Sequence, residues 1–390
     1  MTEEQNSKLM LHLQQRIAAS AASAIPFAEF MEQALYHPDY GYYTAERTRI
    51  GKRGDFFTSS SVHSGFGRLI ARQVEQMWQI LGQGPFVIAE PGAGEGHLCL
   101  DILDALAQES PELYAQLEYR IIEISQDNRQ RQRQTLETHF QAGRVAWCEL
   151  EDLQGMQGCI ISNELIDAFP VHLIEKHAEG LREVYVVNGE NGFTEELRPV
   201  SSHLIAQYFQ QIGIEPALGN RCEVNLAAAD WMRRVATTLG RGFVLTIDYG
   251  YLAEELYAPY RHAGTLLCYY QHQTNENPYQ RVGFQDITAH VDFTTLQSIG
   301  RQCGLDVLYF GQQYQFLLGL GFLEMLMEME SRETDPQKAL ALRMNLKTLI
   351  LPEGGMGETF KVLIQGKDVA APELLCARRI QDITMPSRPF

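Results

Sequence analysis

The sequence predicts a doubly wound α/β sheet that carries an inserted α+β subdomain and an N-terminal helical extension. Three observations predict it. Short apolar runs rich in β-branched residues recur at 86–90 (FVIAE), 119–124 (YRIIEI), 144–150 (RVAWCEL), 158–164 (GCIISNE) and 242–250 (GFVLTIDYG). Runs of this kind suit strands buried on both faces of a parallel sheet. Helix-like segments separate them, so strand and helix alternate as a doubly wound sheet requires. The alternation breaks once, between Pro170 and Arg241, over a span too long for an ordinary connection.

Taken in order, residues 1–85 read as a helical extension and lid. Two loops interrupt it, HPDYGYYT at 37–44 and IGKRGDFFTSSS at 50–61. Gly54 and Asp55, among small residues ahead of a helix, make the second loop either a cover for a bound ligand or a capped connector. Residues 86–170 are the first part of the core. Ser110-Pro111 opens a new segment between its first two strands, and the polar helix SQDNRQRQRQTLETHF follows the second. Residues 171–240 are the insertion. VHLIEKHAEGLREVYVVNGENGFTEELRPV alternates in period two, with turn signals at Glu179-Gly180 and Asn191-Gly192, and more helical stretches follow. Residues 241–367 return to the core through an irregular loop up to Gly283, a helix capped by Asp292, a strand in LDVLYF, helices to about residue 350 and a last strand in GETFKVLIQGK. Residues 368–390 are a tail. Two late strands after five parallel ones give a seven-stranded sheet.

Composition narrows the function classes. With 390 residues the chain holds two or three units, or one domain with a large insertion. Acidic side chains number 49 against 32 basic ones, a net charge of −17, which disfavours a protein built to grip a phosphate backbone. Seven scattered cysteines, with no Cys-x-x-Cys pair, fit buried thiols of a reducing compartment. Glu3 and Glu4 argue against a secretory signal or a mitochondrial presequence. The most apolar stretch, 316–322, falls far short of the roughly 20 residues that span a bilayer. The expectation is a cytoplasmic protein with no membrane span.

The sharpest local feature is AEPGAGEGH at 89–97, directly after a strand and opening a helix. Gly92, Gly94 and Gly96 at such a turn let the backbone approach a ligand and aim free helix amides at it. The spacing is Gly-x-Gly-x-Gly, with His97 where a dinucleotide fingerprint carries its third glycine. Glu90 and Glu95 at the helix N-terminus would repel a diphosphate and suit a ligand with positive charge. S-adenosylmethionine, with an ammonium, a sulfonium and no phosphate, has that character. Glu123, at the end of the next strand, can accept hydrogen bonds from both ribose hydroxyls. Simpler readings are a tight strand–helix connection and a solvated strand-end acid.

Three further clusters follow. Asn163, Glu164 and Asp167 come right after an apolar strand, where open α/β sheets bind ligands. In a helical turn the two acids would share one side. Paired carboxylates there match a planar cation such as guanidinium, although helix N-capping accounts for them too. Asp248 ends the fifth strand, again at the ligand rim, with turn formation as the alternative. His290, in GFQDITAHVDF, reads as a general base, a metal ligand or a structural histidine, and no second His or Cys lies at ligand spacing.

The stretches GYYT…IGKRGDFFTSS, IAEPGAGEGHL, ISNELIDAFPV, LTIDYGY and GTLLCYYQH…GFQDITAHVDF occur in that order. Together they resemble the MidA family of S-adenosylmethionine-dependent protein arginine methyltransferases, related to the mitochondrial complex I assembly factor. The resemblance runs from about Phe27 to Lys367. It implies a class I methyltransferase fold with the last strand antiparallel, and N-methylation of an arginine in a protein substrate. In the mitochondrial relative that substrate is a subunit of the respiratory NADH dehydrogenase. The cofactor would lie on Glu90, Gly92, Gly94, Gly96, Glu123, Asn163 and Asp248, with Gly54 and Asp55 over it. Glu164, Asp167 and His290 would act on the acceptor. The family more often has a proline where this chain has Ser59-Ser60-Ser61.

Overall fold

The computed structural model describes residues 3–45, 63–351 and 357–378. The seven core strands are β1 Phe86–Pro91, β2 Leu117–Ile122, β3 Val145–Trp147, β4 Met156–Asn163, β5 Leu239–Tyr251, β6 Asp306–Gln312 and β7 Phe360–Lys367. They hydrogen-bond in the order β6-β7-β5-β4-β1-β2-β3. The pairs β4–β5, β1–β4, β1–β2 and β2–β3 are parallel, and β7 runs antiparallel between β5 and β6. The two-residue strand Val291–Asp292 adds an eighth member beside the end of β5. All five parallel runs read from the sequence are strands.

Helices α1 Glu3–Ala19, α2 Phe27–Tyr36, α3 Gly65–Ile80, α4 His97–Glu109, α5 Gln126–Thr135, α6 Leu226–Thr238 and α7 Phe293–Gln302 matter to the site. The strand period of two decides which faces they cover. On β5, Phe243, Leu245 and Ile247 join one buried cluster with Leu69 and Val74 of α3 and Ile102 of α4. Val244, pointing the other way, joins Met232 and Val235 of α6 and Ile299 of α7. The sheet is therefore buried on both faces, which is why its strands carry continuous apolar runs. No helix among the described residues is long and apolar enough to cross a membrane.

The insertion forms a second sheet from strands His172–His177, Gly180–Gly189, Gly192–Pro199 and Arg221–Val224, antiparallel throughout. Ile25–Pro26 pairs with it from the N-terminal extension. Two boundaries differ from the sequence reading. Helix α6, assigned above to the insertion at 171–240, packs on the core, because a parallel β4–β5 pair needs a crossover helix on the sheet face. The extension at 1–85 also divides. Leu9, Leu13, Phe27 and Phe30 share a buried cluster with Leu173, Val184 and Ile287, whereas α3 belongs to the core. The loop that reads as irregular holds a small antiparallel sheet of Leu267–Tyr270, Gln273–Asn275 and Asp286–Thr288. Strands of three or four residues leave too few positions to display alternation.

Candidate functional site

A cavity of about 590 Å³ opens beyond the carboxyl ends of β1, β2, β4 and β5, where open α/β sheets bind ligands. Its first half is built from the glycine turn. Gly92, Gly94 and Gly96 have φ of +68°, +56° and +85°, the left-handed region that glycine enters without a steric cost. A Cβ on Gly92 would stand 2.8 Å from Leu165 Cδ1, so a side chain there would have to displace the end of Leu165 and also hold a positive φ. Gly92 and Gly94 line the cavity. Gly96 does not, contrary to its expected cofactor contact: it is the left-handed N-cap of α4.

Two buried acids border this turn. Glu90 ends β1 and accepts a hydrogen bond from the Tyr119 hydroxyl at 2.7 Å. Burial pushes its carboxyl up to about 7, with the Glu123 charge adding to the rise and Tyr119 opposing it. Glu123 is held by Ser125 N at 2.8 Å and by the side chains of Gln132 and Asn128 on α5. Beside it Ile124 is 60% exposed, an apolar surface at the mouth of the cavity. Glu95 does not act as a free charge, as the sequence reading had it. Arg131 of α5 lies 3.2 Å from its carboxylate. Glu90 and Glu123 are acids that this half presents to a ligand.

The second half is assembled from four separate segments. After β4 the chain NELIDAFP makes a turn, not the expected helical turn. Asp248 anchors this turn. Its Oδ2 accepts from the backbone N–H groups of Leu165, Ile166 and Asp167, at 3.2, 2.9 and 3.3 Å, and its Oδ1 from Tyr249 N. It is buried and does not line the cavity, so its expected cofactor contact is replaced by a structural one. Burial and the neighbouring Asp167 charge raise its pKa, against the pull of these amides. The turn forces Glu164 to φ +52°, a strained conformation for a non-glycine residue.

Asn163, Glu164, Asp167 and His290 all line this half. Asp167 accepts from the Tyr249 hydroxyl on Oδ2, while its buried Oδ1 has no hydrogen-bond partner among the described residues. Burial pushes its carboxyl up to about 6. Asn163 Oδ1 and His290 Nδ1 are likewise buried without partners. Desolvation and the charges of Arg261 and Lys361 push His290 down to about 4, so its imidazole is neutral near pH 7. Among the described residues no group of His, Cys, Asp and Glu could hold a metal ion. Gly54 and Asp55 lie outside the described residues.

Besides Tyr249, the sequence reading missed four residues here. Tyr36 of α2 donates to Ala168 O at 2.9 Å, and its ring stacks on Tyr43, with centroids 5.5 Å apart. The Tyr43 hydroxyl donates to the buried Asp286, at 2.8 and 2.7 Å from the two oxygens. Tyr269, on the small sheet, feels the charges of Asp167, Asp286 and Glu164 together. Tyr43 and Asp286 sit inside stretches that carry the family resemblance, GYYT and GFQDIT, and that was the available signal.

The arrangement offers a glycine cradle and two acids to a cationic ligand, then carboxylates and phenols to a second cationic group. Comparison with known proteins places the chain among methyltransferases. Residues 69–311 match the model of the S-adenosyl-L-methionine-dependent methyltransferases. A solved Burkholderia thailandensis protein bound to S-adenosyl-homocysteine is 34% identical, with TM-score 0.86 over 96% of both chains. The mitochondrial protein arginine methyltransferase NDUFAF7 homolog of Drosophila melanogaster is 29% identical over 75% of this chain and 70% of its own. Human NDUFAF7, a mitochondrial protein arginine methyltransferase, is 26% identical over 90% and 82%.

Proposed function

The chain belongs to the S-adenosyl-L-methionine-dependent methyltransferase family, and from that premise we propose that it methylates an arginine side chain of a protein, with a respiratory NADH dehydrogenase subunit as the first substrate to test. The observation that carries this reading is the acceptor half of the cavity, where Glu164, Asp167 and Asp286 stand among Tyr36, Tyr43, Tyr249 and Tyr269. A planar cation finds hydrogen-bond acceptors and aromatic faces there. A site for a neutral small-molecule acceptor would be lined by apolar groups instead.

When bound, S-adenosylmethionine supplies a methyl group already activated on a sulfonium. The glycine turn, Glu90, Glu123 and Ile124 are suited to hold its amino acid, ribose and base. Asn163 and Glu164 sit between the two halves. What remains for the protein is alignment of nucleophile, methyl carbon and sulfur, which can supply several kcal/mol. A guanidinium has a pKa above 12 and is a poor nucleophile while its charge is spread over three nitrogens. Carboxylates at Glu164 and Asp167 draw that charge to the nitrogens they bind and leave the third nitrogen richer in electrons. Asp167, less acidic than an ordinary carboxylate, is also the better proton acceptor as the new N–C bond forms.

Incubation with tritiated S-adenosylmethionine and cell lysate, then acid hydrolysis and amino-acid analysis, tests the reading. Label in methylarginine is expected. Label confined to small molecules, or to another amino acid, overturns it.

A further inference from the structure

We propose that Tyr249 is the positioning residue of the acceptor site: its hydroxyl fixes the Asp167 carboxylate while its ring fixes the His290 imidazole, so that one side chain sets both groups against the arginine. The inference rests on the arginine reading above. It arises from how Asp167 is held. Its N–H donates to Asp248, and its carbonyl accepts from Ala289 N at 2.9 Å. Its main chain is thus fixed from β5 and from the segment leading to His290. Neither bond restrains the side chain. The Tyr249 hydroxyl does that, through Asp167 Oδ2, with the local amides of Asp167 and Ala168 adding a smaller pull, and among the described residues Oδ1 has no hydrogen-bond partner.

The same ring makes the second contact. It stands edge-on to His290 with centroids 5.4 Å apart, and edge-on to Phe360 at 5.5 Å on its other flank. Tyr251 approaches His290 at 5.3 Å, so the imidazole is wedged between two tyrosines. Its own N–H on the main chain is tied to Thr265 Oγ1 at 3.0 Å, while Nδ1 is unpartnered. Position in the strand explains the division of labour. Consecutive residues of β5 point to opposite faces, so Asp248 reaches under the turn and Tyr249 reaches over it. The sequence Asp-Tyr therefore secures the backbone of the turn with one side chain and its chemistry with the next.

The groups facing Asp167 are Asp248 and Glu164 from its own side, Tyr36 and Tyr43 from the N-terminal segment, and Tyr269 and Asp286 from the small sheet. Burial holds Tyr36, Tyr43 and Tyr269 above the ordinary phenol range, so they stay neutral. None of these neighbours donates a side-chain hydrogen bond to Asp167; Tyr249 does, and that bond favours the ionised carboxylate. Its loss must move the titration upward.

The test follows the Asp167 carboxyl by NMR in protein labelled at the aspartate carboxyl carbon, with the signal assigned by its loss in Asp167→Asn. Tyr249→Phe is expected to raise the midpoint by about one to two pH units, the worth of a hydrogen bond to a charged group. It should also slow arginine labelling about 10- to 100-fold and leave S-adenosyl-homocysteine affinity, read by calorimetry, unchanged. Installing 3-fluorotyrosine at position 249 keeps the ring and makes the hydroxyl a stronger donor. The midpoint should then fall, which keeps the proposal testable if the phenylalanine variant does not fold. Tyr43→Phe removes a phenol from Asp286 and should leave the midpoint in place. A wild-type chain that labels no arginine overturns the reading of the function. A wild-type chain that does, with midpoints unmoved by either change at Tyr249, overturns the role given to Tyr249 alone.

Discussion

The two halves of the cavity are built in different ways. The donor half comes from one stretch of chain: Glu90, the glycine turn, Glu123, and the residues of α5 that hold Glu123 all lie between residues 90 and 132. The acceptor half has no such unity. Tyr36 reaches Ala168 and Tyr43 reaches Asp286 from the N-terminal segment, Asp248 and Tyr249 come from β5, and His290 follows the small sheet. A strand-to-helix turn can make a general cofactor cradle by itself. A site for one particular acceptor needs groups that only the finished fold assembles. The difference teaches that recognition of the donor is a property of a motif here, whereas recognition of the acceptor is a property of the tertiary structure.

Substitutions should separate the halves. The largest effect is expected at Gly92→Val, where a branched side chain meets Leu165 and must also adopt a positive φ. Calorimetric affinity for S-adenosyl-homocysteine should fall about 100-fold or more, because the branched side chain fills the space through which a ligand reaches the backbone of the turn. Near-normal affinity would break the assignment of the turn to the donor. Asp167→Asn should do the reverse. Arginine labelling should drop about 100-fold, the lower end for a lost proton acceptor, with donor affinity intact; equal loss of both would mean the halves are not independent.

The smallest effect concerns Glu90. Its carboxyl is raised from the ordinary range to about 7 by burial, so the folded protein binds this proton more tightly than the unfolded chain. The stability it contributes is present at low pH and is lost as pH rises through the interval from about 4.5 to about 7. Glu90→Gln removes the buried charge. At pH 8 the ligand-free variant should melt about 3 °C above the parent, while at pH 4 the two should coincide. A variant that melts lower at pH 8 would show that Glu90 is paid for by contacts beyond Tyr119, and would weaken the contrast between a strained, ligand-ready donor half and the rest of the core.

The same contrast explains what could be read in advance. The five parallel strands and the glycine turn carry their signal within a few consecutive residues, and each stands where the sequence places it. The segment Glu164–Asp167 is a turn and not a helix, and the acid that anchors its amides, Asp248, stands more than eighty residues later in the chain. No local pattern encodes that anchor. Asp286 and its partner Tyr43 are separated by 243 residues, and the strand that presents Asp286 is three residues long. Their closeness is a product of the small sheet and of α2 packing against the insertion. Gly96 and Asp248 stand out in the sequence as special positions, and the structure gives them work as a helix cap and a turn anchor.

The hydroxyl of Tyr36 on the carbonyl of Ala168 spans 132 positions of chain. Closing a contact across so much chain costs loop entropy, which grows with the length enclosed. The N-terminal segment is therefore tied to the turn after β4 by a bond that exists only in the finished fold, and cutting it with Tyr36→Phe would loosen that join while leaving the Glu123–Gln132 bond of the donor half in place.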